Sequence, residues 1–210
     1  SLFRITIDVL KRSFYYKGMV RLKEYDRNEV LERAIDQFWQ KGYKATSMTD
    51  LVHATGLNTA SMYKEFGDKD GLFEESLDYY RQNIRGPRFD ILIEEPNYNG
   101  VEAFLENVVT GATSKEYKGC LMMNHLAQKH SISARAAKKI DEYCTNAEDL
   151  LAAALKNAQT AGDIPAHKDP KSLASFVMCS LHGMVLYSRL PNTKKNLLQI
   201  LDNVLRALQA

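Results

Sequence analysis

The side chains best suited to bind another molecule lie between positions 46 and 69. They carry hydroxyl, amide and amine groups, which bind phosphates and the edges of nucleic-acid bases. Thr59 and Ser61 have hydroxyls that reach base edges or phosphates, and Ala60 between them is small enough for close approach. The pattern predicts contact with double-stranded DNA. The full candidate set is Thr46, Ser47, Asn58, Thr59, Ala60, Ser61, Tyr63, Lys64 and Lys69.

Four of these residues predict contacts with the DNA backbone. Thr46 lies at the start of a predicted helix, where free N–H groups and the helix dipole favour an anion. Lys69 lies in the first turn of another predicted helix, where its charge opposes the dipole. Folding alone does not explain such a cation, but a bound phosphate does. Tyr63 and Lys64 fit a second phosphate, although singly they fit a core position and a solvated charge equally well.

Three short helices position these residues. Apolar residues at helical spacing predict a first helix from Arg27 to the glycine at 42. Ser47 and Asp50 form a capping box that starts the second helix. Asn58 is a good N-cap for the third, which runs to residue 66 with its apolar side chains inward. The glycine at 56 joins the last two helices into a helix-turn-helix, whose second helix enters the major groove.

The remaining chain is predicted to be helical in a second block. The connecting helix runs from Lys69 to about Ile84, Gly86-Pro87 ends it, and the stretch up to Gly100 is predicted as a loop. Since no strand-type alternation is visible, we expect an all-α protein in two parts. The further helices are predicted at 101–115, 120–130, 133–161, 170–189 and 193–208.

The spacing of the first block resembles a known family. The segments Gly42 to Val52, Gly56 to Tyr63 and Phe66 to Phe73 closely resemble the DNA-binding domain of the TetR family of bacterial transcriptional regulators. The likeness covers about residues 27–80. It implies a homodimer with a helix-turn-helix DNA-binding domain at 25–68, a connecting helix at 69–85 and a helical ligand-binding and dimerisation domain at 86–210.

The resemblance also assigns roles to individual residues. It implies backbone contacts at Thr46, Tyr63 and Lys69 and base contacts at positions 58–61, with Lys64 often joining them. Thr59 departs from the family pattern, because this position is often basic. Glu65 departs as well, since a neutral residue is common there. Its carboxylate either accepts from a cytosine amino group or points to solvent.

The resemblance implies a small-molecule effector in the C-terminal domain. An effector pocket needs an apolar cavity with a few polar anchors. Either His125 and His182 orient a ligand or both are core histidines, and the other candidates are equally compatible with plain core. With His130 and His167 they show no metal-ligand spacing, so no metal and no cofactor is expected. The candidates are Phe104, Val108, Met122, Met123, His125, Leu126, Phe176 and His182.

Cys120 lies in a segment, Lys118 to Asn124, that is similar to a Gly-Cys-x-x-x-Asn segment of some TetR-type regulators. In certain relatives a cysteine there senses electrophiles or oxidants, and a helix N-terminus favours the thiolate. The alternative is a small buried packing residue. Cys144 and Cys179 lie in no such motif and are expected in the core.

The last two predicted helices are candidates for a dimer interface. The segment 176–187 is apolar nearly all round, so it must be covered on every side. Leucines from 197 to 208 form a wide apolar stripe on the final helix. Two such helix pairs would bury both surfaces in a four-helix bundle, although burial within one chain is the alternative. The resemblance favours the homodimer.

Composition excludes a disordered chain, a collagen-like chain and a disulfide scaffold. The 210 residues hold 28 Lys and Arg against 26 Asp and Glu, a formal net charge of +2 that gives no global sign of nucleic-acid binding. No 18-residue apolar run predicts a membrane span, and no signal peptide is visible. Three cysteines without Cys-x-x-Cys spacing favour a reducing cytoplasm. Residues 1–24 are basic and form either a phosphate-binding arm or a solvated tail, with a natural start possible at Met19.

These observations favour a ligand-responsive repressor that binds a palindromic operator as a dimer and is released by an inducer. One alternative is a redox or electrophile sensor that switches through Cys120. Another is a structural DNA-binding protein without a ligand. An enzyme is not expected, since the sequence has no Gly-rich phosphate loop, nucleophile elbow or paired-carboxylate motif.

Overall fold

A computed structural model describes residues 25–114 and 117–210, and the regular secondary structure in these ranges is entirely helical. The predicted basic arm at 1–24 lies outside them. Besides the α-helices, these ranges contain a π-helical turn, Tyr80–Arg85, and a 3₁₀ turn, Lys129–Ser131. The α-helices are α1 (Arg27–Lys41), α2 (Met48–Thr55), α3 (Thr59–Phe66), α4 (Lys69–Tyr79), α5 (Gly86–Glu94), α6 (Tyr98–Ala112), α7 (Leu121–Leu126), α8 (Ala134–Ala161), α9 (Pro170–Tyr187) and α10 (Lys194–Gln209).

The first three helices pack with α4 around an aromatic core. The Asp26 carboxylate caps α1 by accepting from the Asn28 amide at 2.8 Å, and Gly42 ends it with a positive φ of 75°. Phe38 of α1 and Phe73 of α4 meet edge to face, with ring centroids 4.8 Å apart. Both side chains are fully buried, so α4 belongs to the core of the N-terminal part.

The predicted break at Gly86-Pro87 is wrong. The chain widens into the π-helical turn after Tyr79 and then continues directly as α5. Pro87 occupies the first turn of α5, where its missing N–H removes no intrahelical hydrogen bond. The helical conformation therefore continues from Lys69 to Glu94 and carries the chain from the first part of the molecule into the second.

The C-terminal part is organised around α8, which packs against α9, α6, α4 and α7. Ser133 caps α8 by accepting from the Ala136 amide at 3.1 Å, and Gly162 ends it in the left-handed region, as predicted. α7 is shorter than predicted, since it ends at Leu126. The buried apolar residues of both parts form one contiguous cluster. Within the described ranges, no helix is both long and apolar enough to cross a membrane.

Candidate nucleic-acid interface

The N-terminus of α2 has the predicted capping box. The Ser47 hydroxyl accepts from the Asp50 amide at 3.1 Å, and the Asp50 carboxylate accepts from the Ser47 amide at 2.9 Å. Lys41 binds the same carboxylate at 2.6 Å. This hydrogen bond to Lys41 and those from Ser47 hold the pKa of Asp50 well below its usual range. The amides of Met48 and Thr49, in the first turn, have no intrahelical acceptor and are free for an anion.

The turn between α2 and α3 is fixed by three local features. Gly56 ends α2 in the left-handed conformation, with φ 71° and ψ 3°. The Thr55 hydroxyl donates to the Leu51 carbonyl at 2.7 Å and accepts from the Leu57 amide at 3.2 Å. The Asn58 side chain then caps α3 by accepting from the Ser61 amide at 2.9 Å. These bonds set the direction in which α3 leaves the turn.

Helix α3 has one buried face and one polar outer face. Met62 is fully buried and Phe66 nearly so, as predicted. The ring of Tyr63 is 49% exposed, which excludes its alternative as a core residue. Ser61 is half-buried, and Asn58, Thr59, Ala60 and Lys64 are exposed. The outer face is therefore narrow and carries hydroxyl, amide and amine groups, as insertion into a groove requires.

Thr46 does not direct its side chain outward. It is buried, and its hydroxyl donates to the Gly42 carbonyl at 2.7 Å. Any phosphate contact at this position would therefore come from the nearby backbone amides of α2 rather than from the Thr46 hydroxyl. The hydroxyl instead holds the loop between α1 and α2.

Lys69 has a role in the fold, contrary to the prediction from the sequence. Its ammonium donates to the carbonyls of Tyr43 at 3.2 Å and Thr46 at 3.0 Å and lies 4.3 Å from the centre of the Tyr43 ring. The Tyr43 hydroxyl in turn donates to Asp70. The argument that folding alone cannot explain a cation here is thus wrong, because carbonyls and an aromatic face stabilise it. One of its three N–H donors is left for a phosphate.

The interpretation that Glu65 points freely to solvent is wrong. Its carboxylate accepts from the Tyr25 hydroxyl and from Arg27 Nε, each at 2.9 Å. Arg27 also binds Glu75 at 3.0 Å. Glu65 therefore fastens α3 to the start of α1, and Arg27 extends this connection to α4. The residue that departs from the family pattern at position 65 thus helps to fix the orientation of α3.

Comparisons with known proteins match this geometry. The family described as "Bacterial regulatory proteins, tetR family" matches residues 30–76, and "Tetracyclin repressor-like, C-terminal domain" matches residues 99–204. The HTH-type transcriptional repressor ComR of Escherichia coli (strain K12) is 33% identical over 193 residues, which cover 90% of this chain and 92% of ComR. The chain belongs to the TetR family.

A solved structure of the TetR family transcriptional regulator CifR shows the same fold. A cysteine variant of CifR, complexed with 26-bp double-strand operator DNA, has a TM-score of 0.76 and 29% sequence identity. The match covers 90% of this chain and 99% of that one. As a TetR-family protein, the present chain is a DNA-binding transcriptional regulator with its helix-turn-helix in the N-terminal domain.

The predicted effector residues line two separate spaces, one between the two parts of the molecule and one within the C-terminal domain. A groove of about 650 Å³ lies between the end of α1, α7 and the end of α9, and Met123, His125, Leu126 and His182 line it. A smaller cavity of about 30 Å³ lies deeper in the domain. Phe104, Val108 and His182 line this cavity. The predicted set is thus divided, with His182 shared.

Two predicted effector residues line neither space. Phe176 is 43% exposed on the outer face of α9, because the inward face is formed by Ala174, Val177, Met178 and Leu181. Met122 is fully buried and borders a polar cleft beside Lys139 instead.

The structure places His125 as a core histidine beside the groove. Its Nδ1 lies 2.9 Å from the Leu121 carbonyl, and its ring packs on Phe73 at 4.8 Å. Burial lowers the pKa of His125, so the neutral ring donates through Nδ1 and leaves Nε2 as an acceptor. Burial also lowers the pKa of His182.

Cys120 is buried at the N-cap of α7, where it lines the small cavity. Cys144 is half-buried, and Cys179 is exposed on α9, so the expectation of a core position for Cys179 is wrong. Among the described residues, no group of three or more His, Cys, Asp or Glu side chains is arranged to hold a metal ion.

Two arginines of the small cavity were missed. Arg85 and Arg88 line it beside Cys120 and Tyr143. Their sequence neighbourhood resembles a helix end, where exposed arginines are common, so no local pattern distinguishes them. Only the continuation of α4 into α5 turns both guanidinium groups into the domain.

Proposed function

We propose that this protein is a dimeric repressor whose α3 reads one half of a palindromic operator, and that a small effector in the C-terminal domain weakens DNA binding. The observation that carries the proposal is the outer face of α3. Exposed polar side chains and the exposed Tyr63 ring lie on it, above the buried Met62 and Phe66. The names of two relatives support it, since ComR is called a repressor and CifR was solved on operator DNA.

Phosphate contacts would flank this helix. Lys44 and Lys64 are exposed, and neither takes part in an ion pair within the described ranges. Together with the free amides of α2 and the remaining donor of Lys69, they would bind the backbone on both sides of the groove. The base contacts would then come from Asn58, Thr59, Ala60 and Ser61.

A second copy of the chain would bind through α9 and α10. Phe176, Cys179, Gly183 and Leu186 follow one another at helical spacing on α9, and all four are exposed in the single chain. Leu198 of α10 is also 48% exposed. Burial within one chain therefore does not cover this face, and a homodimer would cover it.

Helix α4 would transmit effector binding. Its N-terminal Lys69 holds the loop before α2, while its continuation through Arg85 reaches the small cavity. An effector that prefers one position of this helix would shift the population between DNA-binding and non-binding conformers.

The test is selection of genomic DNA fragments from a bacterial source, by the parent protein and by Tyr63→Ala. We expect the parent to enrich one or a few palindromic fragments and Tyr63→Ala to lose about 5- to 150-fold in affinity for them, since one or two backbone contacts are worth about 1–3 kcal/mol. Lys171→Ala is the control, because Lys171 is exposed at the N-terminal end of α9, whereas the C-terminal end of α9 lies near α1.

The two variants separate the possible outcomes. Equal binding by the parent and Tyr63→Ala would show that the outer face of α3 does not contact DNA. Failure of the parent to enrich any fragment across a range of salt concentrations would overturn the proposed operator binding itself. Loss of binding by Lys171→Ala would indicate a nonspecific charge effect.

A further inference from the structure

Arg85 is a buried cation whose hydrogen-bond acceptors are all neutral. It is 6% exposed. Its Nε donates to the Tyr80 hydroxyl at 2.6 Å, and its Nη2 donates to the Tyr117 hydroxyl at 3.2 Å and the Gly119 carbonyl at 3.1 Å. No carboxylate of the described ranges pairs with it. These acceptors and the rings of Tyr80 and Tyr117 hold Arg85 in the fold, but none of them supplies the negative charge that would offset the burial of its own.

Arg88 lies three residues further along and adds a second uncompensated charge. Its Nη1 is buried with no hydrogen-bond partner, and its side chain makes no ion pair with any described residue. Burial and the neighbouring charge of Arg85 lower the pKa of Arg88. The guanidinium packs against Gly111, where a Cβ would lie 2.8 Å from Nη2 and would make it shift from its present position. Two guanidinium groups are thus held close together without a counter-ion from the described chain.

Both arginines line the same cavity. No aspartate or glutamate lines it, and most of the wall is apolar, including Phe89, Phe104 and Leu181. Its volume of about 30 Å³ is room for about two water molecules, and therefore for one carboxylate group. A carboxylate is planar and accepts two parallel hydrogen bonds from a guanidinium group. It would therefore supply the missing negative charge and accept from the unpartnered Nη1 of Arg88.

We infer that this cavity binds the carboxylate of a small organic anion with a short apolar body, and that such an anion is the effector. The carboxylate lies between Arg85 and Arg88, and the apolar body contacts Phe89 and Phe104. Because the cavity has room for the carboxylate alone, the apolar body requires α6 and α9, which both line the cavity, to move apart. This inference rests on the proposed function, because it names the ligand class that releases the operator.

The position of the site explains how binding reaches the DNA. Arg85 ends the π-helical turn, and π-helical segments are frequent at functional sites. When an anion draws the two guanidinium groups together, the turn moves with them. The turn directly follows α4, whose first residue, Lys69, binds the loop before α2. A displacement of the turn therefore moves α4 and, through Lys69, this loop.

The experiment is calorimetric titration of the full chain, without DNA, with acetate, butyrate and benzoate, each matched by its neutral amide. We expect the carboxylates to bind and the amides not to bind. Arg88→Gln should lower carboxylate affinity at least about tenfold, because a charge-assisted hydrogen bond is worth about 1.5–3 kcal/mol. Gly111→Ala, which crowds the guanidinium without removing it, should lower affinity as well.

Two controls keep the result decisive. Arg81→Gln removes an exposed arginine of the same π-helical turn and should leave carboxylate affinity unchanged. Arg88→Gln should melt at the same temperature as the parent or higher, because it removes an uncompensated charge, so its loss of binding would not reflect unfolding. Equal binding of amides and carboxylates, or absence of binding by all three carboxylates to the parent, would overturn the inference.

A separate measurement distinguishes this inference from the proposed function. The selected operator fragment is bound by the parent and by Arg88→Gln, and benzoate is added to each. We expect release of the parent alone. Operator binding that benzoate does not weaken would leave the regulator intact and overturn the effector assignment, whereas lack of operator binding by the parent would overturn the proposed function.

Discussion

Lys69 illustrates how one residue serves the fold and the proposed interface together. The sequence identified it as a candidate because a cation at a helix N-terminus needs an explanation. The structure supplies one in the carbonyls of Tyr43 and Thr46, which lie more than 20 positions away in the chain. Sequence reasoning found the residue but not its partners, because those contacts depend on tertiary packing.

We predict that Lys69→Met lowers the free energy of unfolding as well as DNA affinity. Its two carbonyl contacts are part-buried, so their loss should cost about 1–2 kcal/mol. Lys64→Met is the matched control and should change stability by less than about 0.5 kcal/mol, since Lys64 is exposed. Urea denaturation measures the stability of both variants, and titration of the selected operator fragment measures their DNA affinity. Unchanged stability of Lys69→Met would show that the carbonyl contacts contribute nothing to the fold.

The predictability of the other site residues follows the same division. The capping roles of Ser47 and Asn58 and the inward positions of Met62 and Phe66 were predicted correctly, because both features depend on neighbours within a turn or two of helix. The contacts of Glu65 were not, because its partners Tyr25 and Arg27 lie before and at the start of α1, far from it in the chain. Arg85 and Arg88 were missed for the same reason.

At the scale of elements, helix starts were read from the sequence more reliably than helix continuations. Ser133 and Pro170 begin α8 and α9 as predicted, since an N-cap residue and an early proline act locally. Pro87 likewise lies in the first turn of a helix, α5, although Gly86-Pro87 was predicted to end the preceding helix and begin a loop. The preceding π-helical turn connects α4 to α5 without a break, and packing of α5 against α6 and α8 stabilises α5.

The π-helical turn depends on the hydroxyl of Tyr80, so we predict a marked loss of stability in Tyr80→Phe. This buried hydroxyl accepts from Arg85 Nε and from the Leu121 amide, and both donors would lose a partner. The expected cost is about 1–3 kcal/mol in urea denaturation.

Tyr79→Phe, one residue earlier, is the control. It loses only a surface hydrogen bond to Glu32 and should cost less than about 1 kcal/mol. Equal effects of the two substitutions would mean that the turn does not depend on the Tyr80 hydroxyl.

At the scale of the whole molecule, the open face of α9 is the feature that one chain leaves incomplete. Gly183 lies at its middle, and a Cβ built there meets no atom within 4 Å in the single chain. Burial of this face in a second copy would bring two helices together at a position without a side chain.

We therefore predict that Gly183→Glu abolishes the dimer while the fold persists, because the added carboxylate has space in the monomer but not in a packed interface. Gly183→Ala should remain dimeric and gain about 0.5–1 kcal/mol per chain from helix propensity. Sedimentation velocity measures the oligomeric state, and circular dichroism checks the helices. A dimeric Gly183→Glu protein, or a monomeric parent, would exclude this face as the interface.

The uninterrupted helical path from Lys69 to Glu94 also constrains how this protein could evolve. Regulators gain new effectors most simply when a C-terminal domain is exchanged behind an existing DNA-binding domain. Here the junction is a helix, and each inserted residue would rotate one domain against the other by about 100° and shift it by about 1.5 Å. A viable exchange must preserve the helical phase, so the number of residues inserted or deleted at the junction is limited to nearly whole helical turns.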